Sequence, residues 1–181
     1  MAKKILPSVE MLREILDYKA EDGKLYWKAR PRDSFATPRA ASIWAARSAG
    51  KEAFTSINNN GYRHGKIFGQ GMLAHRVIFA IHHGHWPKEL VDHIDGDRLN
   101  NRIDNLRPAS RLENARNQGV RKTNTSGIKG VDFDKRAGKF RAQISVSGKK
   151  LFLGYYADES GAASAYAEAS IKHHGEFART K

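Results

Sequence analysis

The chain has 181 residues, enough for one large domain or two small ones, and its net charge is +13. Such a charge suits a polyanion such as nucleic acid, because neutralised phosphates release their counterions; charge alone leaves open an acidic membrane surface or a soluble basic protein. The absence of cysteine excludes disulfides, thiolate zinc sites and cysteine nucleophiles. With no signal peptide or membrane-length apolar stretch, we expect a cytoplasmic protein without a membrane partner.

Residues 1–60 are predicted to form an N-terminal helix and strand region associated with the domain at 61–118. Helical spacing of apolar residues behind Ser8 predicts a helix over 8–18, and a strand is expected over 23–27. Residues 29–50 show no firm period and are predicted as a loop, with a helix around 40–47.

A β-hairpin and a helix are predicted next. The turn signal Asn58–Gly61 precedes two strand-like runs, 62–68 and 72–75, which flank a second turn at Gly69–Gly71. Apolar residues at helical spacing then predict a helix near 73–83. The three histidines at its end are interpreted as helix-end and loop residues, because no partner ligands have zinc-site spacing; they are His82, His83 and His85.

Residues 88–118 form a strand, loop, strand and helix unit. Leu90-Val91 is a short strand that ends at Asp92-His93, and a polar loop comes next. A second strand is predicted around Asn105–Arg107. Ser110 and Glu113 form a capping box, which predicts a helix over 111–118.

The chemistry of this unit suits phosphodiester hydrolysis. The imidazole of His93 has an ordinary pKa near 6.5, so its neutral form can accept a proton from water. Asp92 and Asn114 offer hard oxygen donors suited to Mg²⁺ or Mn²⁺. Neighbours on a straight strand point to opposite faces, so Asp92 and His93 are expected where the strand ends and bends. The amide of Asn105 is expected to pin the loop that carries His93.

The unit closely resembles the HNH endonucleases, which occur as mobile and often phage-encoded nucleases. The resemblance rests on Val91–Asp97, Asn100–Arg107 and Asn114, and it extends upstream into Leu73–Val77. It implies a ββα-metal (His-Me finger) nuclease core over residues 61–118.

The family's pattern assigns roles to four residues of this core. His93 becomes the general base, Asp92 and Asn114 the metal ligands, and Asn105 the structural asparagine of the catalytic motif. The third motif position holds Asn instead of His, which favours Mg²⁺ over softer ions. A divalent cofactor is therefore expected, Mg²⁺ first and Mn²⁺ as the alternative.

A second domain is predicted over residues 128–178, after a polar linker at 119–127. Alternation of apolar and polar residues over 140–147 predicts a strand, and flanking strands are expected over 128–133 and 150–156. Asp158 can cap a helix over 159–174. The whole chain is therefore expected to be α+β, with a three-stranded antiparallel sheet and one helix in its C-terminal DNA-binding domain.

This second domain resembles the Apetala-2/ethylene-response-factor type of DNA-binding domain. The resemblance rests on Gly127–Val131, Gly138–Ala142, Leu153–Tyr156 and His174–Ala178. It implies that the sheet lies in the DNA major groove while the helix packs behind it. The chain differs from the plant pattern at three positions, which are Asp132, Phe140 and Phe152.

Side-chain chemistry suggests how the second domain would hold DNA. Arg141 and Gln143 lie on the polar side of the middle strand, where Arg can read guanine and Gln adenine. Phosphate contacts are expected from further basic residues, namely Lys129, Arg136, Lys139, Lys149 and Lys150, and from Arg76 in the upstream region.

The sequence predicts a metal-dependent endonuclease that nicks or cuts double-stranded DNA. The resemblance to the HNH family implies a homing-type enzyme that leaves 5′-phosphate and 3′-hydroxyl ends. Its activity should decline below about pH 6.5, as the imidazole of the base protonates. No protein partner is indicated, and a monomer or weak dimer is expected. The alternatives are a non-catalytic sequence-specific DNA-binding regulator and, less favoured because a stacking platform is missing, an RNA-binding protein.

Overall fold

The computed structural model describes residues 6–120 and 124–179. The fold is α+β, and the chain divides into two compact units between Pro108 and Ala109. Each unit contains its own cluster of buried apolar residues. Within the described ranges, no helix is both long enough and apolar enough to cross a bilayer.

The described part of the first unit, from residue 6 onward, contains three α-helices and three small sheets. Its helices are α1 (Val9–Ile15), α2 (Pro38–Arg47) and α3 (Ala74–His83). Its strands in chain order are β1 (Leu16–Lys19), β2 (Lys24–Trp27), β3 (Glu52–Ala53), β4 (Ser56–Ile57), β5 (Arg63–Ile67), β6 (Gln70–Leu73), β7 (Leu90–His93) and β8 (Leu106–Ala109), the last of which reaches the boundary. The sheet orders are β1-β2-β3, β4-β5-β6 and β7-β8.

The first helix is shorter than the sequence predicts. The side chain of Ser8 caps α1 by accepting from the amide of Met11, as expected, but the helix ends at Ile15 and not at residue 18. Leu16 instead begins β1 and pairs antiparallel with Trp27. The apolar pattern continues past the true end of the helix because Leu16 is itself a buried apolar residue, although it lies in a strand; the strand forms through its pairing with β2.

The predicted hairpin forms from β5 and β6, but its turn lies slightly earlier. Ile67 pairs with Gln70, so the turn consists of Phe68 and Gly69 and not of residues 69–71. The chain then enters α3, whose apolar face is almost completely buried. This burial fixes the helix that carries His75 within the core of the first unit.

The second unit, in the residues that the structure describes, contains two α-helices and one sheet. Its helices are α4 (Arg111–Asn117) and α5 (Glu159–His174), and its strands are β9 (Val131–Asp134), β10 (Lys139–Val146) and β11 (Lys149–Tyr156). All pairings are antiparallel in the order β11-β10-β9, and α5 packs on the sheet. The predicted three strands and helix are thus present, and Asp158 caps α5 as expected.

The helix after Ser110 falls in the second unit, whereas the sequence grouped it with the nuclease core at 61–118. The capping box of Ser110 and Glu113 forms as predicted. Carbonyls at the end of α4 accept hydrogen bonds from the side chains of Lys129 and Arg179, which belong to the second unit. Part of the predicted linker, residues 121–123, lies outside the described residues.

Candidate active site

The end of β7 places Asp92 and His93 in the interior of the first unit. Asp92 is 5% exposed and His93 is 3% exposed. As expected for neighbours on a strand, the two side chains have different partners: Asp92 bonds to Arg107 on β8, and His93 bonds to Asn101 in the loop after β7.

The hydrogen bond to Asn101 defines the chemistry of the His93 ring. Nε2 of His93 lies 2.9 Å from Oδ1 of Asn101, a residue only 1% exposed. An amide oxygen can only accept a hydrogen bond, so Nε2 carries the proton and Nδ1 keeps the ring's lone pair. His93 thus presents a neutral imidazole in the tautomer whose basic atom is Nδ1.

Burial keeps that ring neutral to lower pH than in a solvated histidine. Burial lowers the pKa of His93, and this effect outweighs the opposing influence of the Asn101 hydrogen bond and of the nearby carboxylates Asp95, Asp92 and Asp97. The neutral form therefore persists below the ordinary value near 6.5. A reaction that uses His93 as its base would therefore stay active to a lower pH.

Two aromatic rings pack against His93. Its ring centroid lies 5.0 Å from that of His75 on α3 and 5.8 Å from that of Tyr62. His75 is 4% exposed, and burial, followed by the proximity of His93, lowers its pKa to about 3. His75 is therefore a neutral neighbour of the His93 ring, and its Nδ1 has no hydrogen-bond partner in the described parts of the chain.

Asn105 closes the loop between His93 and β8. Its Nδ2 donates to Oδ1 of Asp95 at 2.9 Å and to the carbonyl of Asn100 at 2.8 Å, while its Oδ1 accepts from the amide of Asp95 at 3.0 Å. The backbone amide of Ile94 donates to the carbonyl of Asn105. This geometry is that of the loop-pinning role that the sequence proposes for Asn105.

The N-terminal hairpin fastens the far end of the same loop. The hydroxyl of Tyr18 accepts from the amide of Ile103 at 2.9 Å, and the guanidinium of Arg102 donates to the carbonyl of Glu21. Gly23 has φ +68°, and a Cβ there would lie 2.7 Å from the backbone nitrogen of Arg102. Residues far upstream of the motif therefore position its loop.

Arg107 holds the carboxylate of Asp92. Its Nε and Nη2 both donate to Oδ2 of Asp92 at 3.0 Å, and the two side chains are only 11% and 6% exposed. A charge at this depth requires such a partner. Arg107 is not among the site residues predicted from the sequence, because its contact with Asp92 arises from the pairing of β7 with β8.

The two predicted metal donors, Asp92 and Asn114, belong to different units of the chain. Among the described residues, no group of three His, Asp or Glu side chains could hold a metal ion. The predicted donors are instead one carboxylate, Asp92, and one neutral amide oxygen, Asn114, which suit Mg²⁺ or Mn²⁺. Asn114 lies half-buried on the first turn of α4, in the second unit.

The side chains predicted to read bases are held by a carboxylate of their own sheet. Asp132 forms an ion pair with Arg141 at 2.7 Å and accepts from Nε2 of Gln143 at 3.3 Å. This contact arises from the register, because Asp132 pairs directly with Arg141. The predicted phosphate contacts Arg136, Lys139, Lys149 and Lys150 are all exposed.

Two other predicted DNA contacts are engaged with backbone carbonyls. Nζ of Lys129 donates to the carbonyls of Arg116 and Gln118 at the end of α4. The guanidinium of Arg76 donates to the carbonyls of Glu89 and Pro87, at 2.9 and 3.0 Å. In this structure both cations tie parts of their own unit together.

The histidines at the end of α3 behave as helix-end residues. His82 and His83 lie in its last turn, before Gly84 ends the helix in the left-handed conformation. The ring of His83 packs on that of Phe79, with centroids 4.2 Å apart. Together with His85 they form no metal-holding group within the described ranges.

Comparisons with known proteins identify a family for the chain. The family model described as HNH endonuclease matches residues 72–116. Protein 3.8 of Escherichia phage T7 is 37% identical over 86 residues, which cover 47% of this chain and 71% of that protein. A solved structure titled "DNA binding and cleavage by the HNH homing endonuclease I-HmuI" is 21% identical, with a TM-score of 0.39 over 93% of this chain and 90% of the other. The chain belongs to the HNH endonuclease family, whose members are hydrolases that cleave DNA.

Proposed function

We propose that this chain is a metal-dependent endonuclease that hydrolyses phosphodiester bonds in duplex DNA, with His93 as the general base. The observation that carries the proposal is the buried, neutral imidazole of His93, whose tautomer is set by Asn101. A neutral imidazole with one basic ring nitrogen can accept a proton from water.

The reaction can be derived from these side chains. Nδ1 of His93 accepts the proton of a water molecule, and Asn101 stabilises the imidazolium ring that results through its bond to Nε2. Asp92 and Asn114 are assigned to hold the divalent ion, Mg²⁺ in preference to Mn²⁺; Asn114 is assigned from the sequence and the family pattern. The bound ion supplies positive charge for the scissile phosphate and the leaving oxygen.

Arg107 has a further task in this scheme. Its guanidinium pairs with the buried carboxylate of Asp92 and keeps it from being an isolated buried charge. Asn105 maintains the loop that begins directly after His93. Both act by positioning, and neither is assigned a proton transfer.

The C-terminal sheet is proposed to bind the DNA in the manner of an Apetala-2-type domain. The support is its three-stranded sheet with one packed helix and the exposed cations Arg136, Lys139, Lys149 and Lys150. Base reading by Arg141 and Gln143 requires that both exchange Asp132 for a base edge. Because the T7 relative is a phage protein, a mobile, phage-type nuclease of homing character is the biological setting that we propose.

The experiment incubates supercoiled plasmid with the wild type and with His93→Ala, each with Mg²⁺ and with EDTA. We expect nicked or linear product only from the wild type with Mg²⁺, while His93→Ala binds DNA with nearly unchanged affinity. His85→Ala is the matched control, because His85 is exposed and lies outside the site. Cleavage by His93→Ala at the wild-type rate would contradict the assignment of His93 as the base. Cleavage in EDTA would contradict the proposed metal dependence.

A further inference from the structure

Helix α2 is held at the surface of the first unit and contributes little to its core. Ala41 is its only buried residue, and Trp44 and Ser48 on the same side are half-buried. The ring of Trp44 packs edge-on against Trp27 of β2 at 5.2 Å and against Phe35 at 6.1 Å. These aromatic contacts fix the helix in place while most of its surface remains in solvent.

The exposed face of α2 carries a regular pattern. Arg39, Ile43 and Arg47 occur at four-residue spacing, which places them along one side of the helix. All three are exposed, Ile43 by 45%. Neither arginine forms an ion pair with any carboxylate of the described residues.

The charge around α2 is strongly one-sided. Residues 28–51 contain six Lys or Arg and one carboxylate, Asp33. Three of the cations have internal tasks: Lys28 donates to the carbonyl of Arg13, Lys51 donates to that of Ala46, and Arg30 stacks on Phe35 and Trp44. The other three are exposed and project from this region, namely Arg32, Arg39 and Arg47.

Helix stability does not account for Arg39. This residue lies in the first turn of α2, where the helix dipole is positive, and that turn contains no acidic residue. A cation there is unfavourable for the isolated helix, whereas it is favourable at the other end, where Arg47 lies. Thr37 already caps the first turn by accepting from the amide of Ala40. An anionic partner would account for the arginine at the unfavourable end.

We propose that the exposed face of α2, with Arg39 and Arg47 assisted by Arg32, binds the phosphate backbone of the duplex DNA substrate; the inference rests on the proposed function for the form of the substrate. Arg39 and Arg47 are separated by eight residues, or about 12 Å along the helix axis, which is the rise of three to four base pairs. Arginine forks bind phosphate oxygens in pairs, and Ile43 between them contacts the sugars. The contact adds affinity without base recognition.

The test compares the double variant Arg39→Gln/Arg47→Gln with the matched control Lys88→Gln/Lys172→Gln, which removes two charges from other exposed positions. Binding of each full-length protein to a fluorescent 30-base-pair duplex is measured by anisotropy in EDTA at several salt concentrations. For the arginine variant, the slope of log affinity against log salt should shrink by about 2, since each lost phosphate contact removes about 0.9. The control should change the slope by less than about half as much.

Further variants and readouts make the test decisive. Arg39→Lys/Arg47→Lys should restore the wild-type slope, because charge carries the contact. Cleavage by the Gln variant should show a raised KM and, at saturating DNA, a kcat within about twofold of the wild type. Equal slopes for the Gln variant and the lysine control would overturn the inference about α2. Failure of the wild type to cleave duplex DNA, with an α2-dependent slope, would instead overturn only the proposed function.

Discussion

Asn101 decides which nitrogen of His93 is basic. Its amide oxygen accepts from Nε2 at 2.9 Å, and both residues are almost completely buried. A side chain that acts through another in this way is a positioning residue, and its loss should change the protonation pattern of the ring as well as the rate.

Replacement of Asn101 tests this role. Asn101→Leu removes the acceptor, and kcat for DNA cleavage should fall about 10–100-fold at little change in KM. Asn101→Asp retains an acceptor of the same shape and should recover a large part of that loss. The ¹⁵N chemical shifts of the His93 ring in the metal-free protein report the tautomer directly. An unchanged tautomer in Asn101→Leu would contradict the assignment.

His75 couples stability to pH at the same site. Its pKa is about 3 in the folded protein and near 6.5 when unfolded, so the unfolded chain binds more protons between these values. The contribution of neutral His75 to stability is therefore complete above pH 6.5 and is lost as the pH falls towards 3, by at most about 1.4 kcal/mol per pH unit.

The measurement is urea unfolding of the wild type and of His75→Leu at pH 7, 6, 5 and 4. The variant should lose less stability on acidification than the wild type. Val77→Ala, at a buried position on the same helix, lowers stability without adding or removing a titrating group and serves as the control. Parallel pH profiles for the wild type and His75→Leu would show that burial of His75 does not set this dependence.

At the scale of elements, the turn before β9 holds helix and sheet of the second unit together. Gly130 has φ +72°, and a Cβ there would lie 2.2 Å from the ring of Tyr166 and 2.6 Å from the carbonyl of Gln143. Tyr166 is a buried residue of α5. The small size of Gly130 therefore allows α5 to approach β10.

Gly130→Ala should accordingly destabilise the second unit by roughly 2–5 kcal/mol, the sum of backbone strain and overpacking. Gly127→Ala is the matched control: Gly127 has nearly the same φ, +74°, but nothing within 4 Å of its Cβ position, so only the strain of about 1–2 kcal/mol applies. Urea unfolding followed by circular dichroism measures both. Equal losses would mean that the contact with Tyr166 is relaxed at little cost.

The elements that the sequence predicts well are those with local signals. The capping box at Ser110 and the cap at Asp158 define the starts of α4 and α5, and each signal is contained in a few consecutive residues. The end of α1 could not be predicted in this way, because the strand that begins at Leu16 exists through its pairing with β2. The conformation of Leu16 is therefore determined by a tertiary contact and not by the local sequence.

The same distinction applies to the site. Roles for His93, Asp92 and Asn105 could be predicted from the sequence because their spacing is a recognisable motif. His75 and Arg107 could not, because they reach His93 and Asp92 by the packing of α3 and the pairing of β7 with β8, which no short window of sequence contains. The strand register also places the carboxylate of Asp132 against Arg141 and Gln143, the side chains predicted to contact DNA bases.

At the scale of the whole molecule, the basic side chains behind the net charge of +13 have different roles. Some cations tie backbone segments together, as Arg76 and Lys129 do. Others remain exposed, on the C-terminal sheet and on α2. Net charge therefore indicates a polyanionic partner correctly but overstates the number of side chains that are available to it.

The attachment of the motif's loop to Tyr18, Glu21 and Gly23 has a consequence for protein engineering. A minimal nuclease fragment limited to the family match, residues 72–116, would lack the β1–β2 hairpin, which contacts the loop between β7 and β8. Fusion to a foreign targeting domain should start upstream of Ser8, so that the fragment keeps the scaffold that supports it.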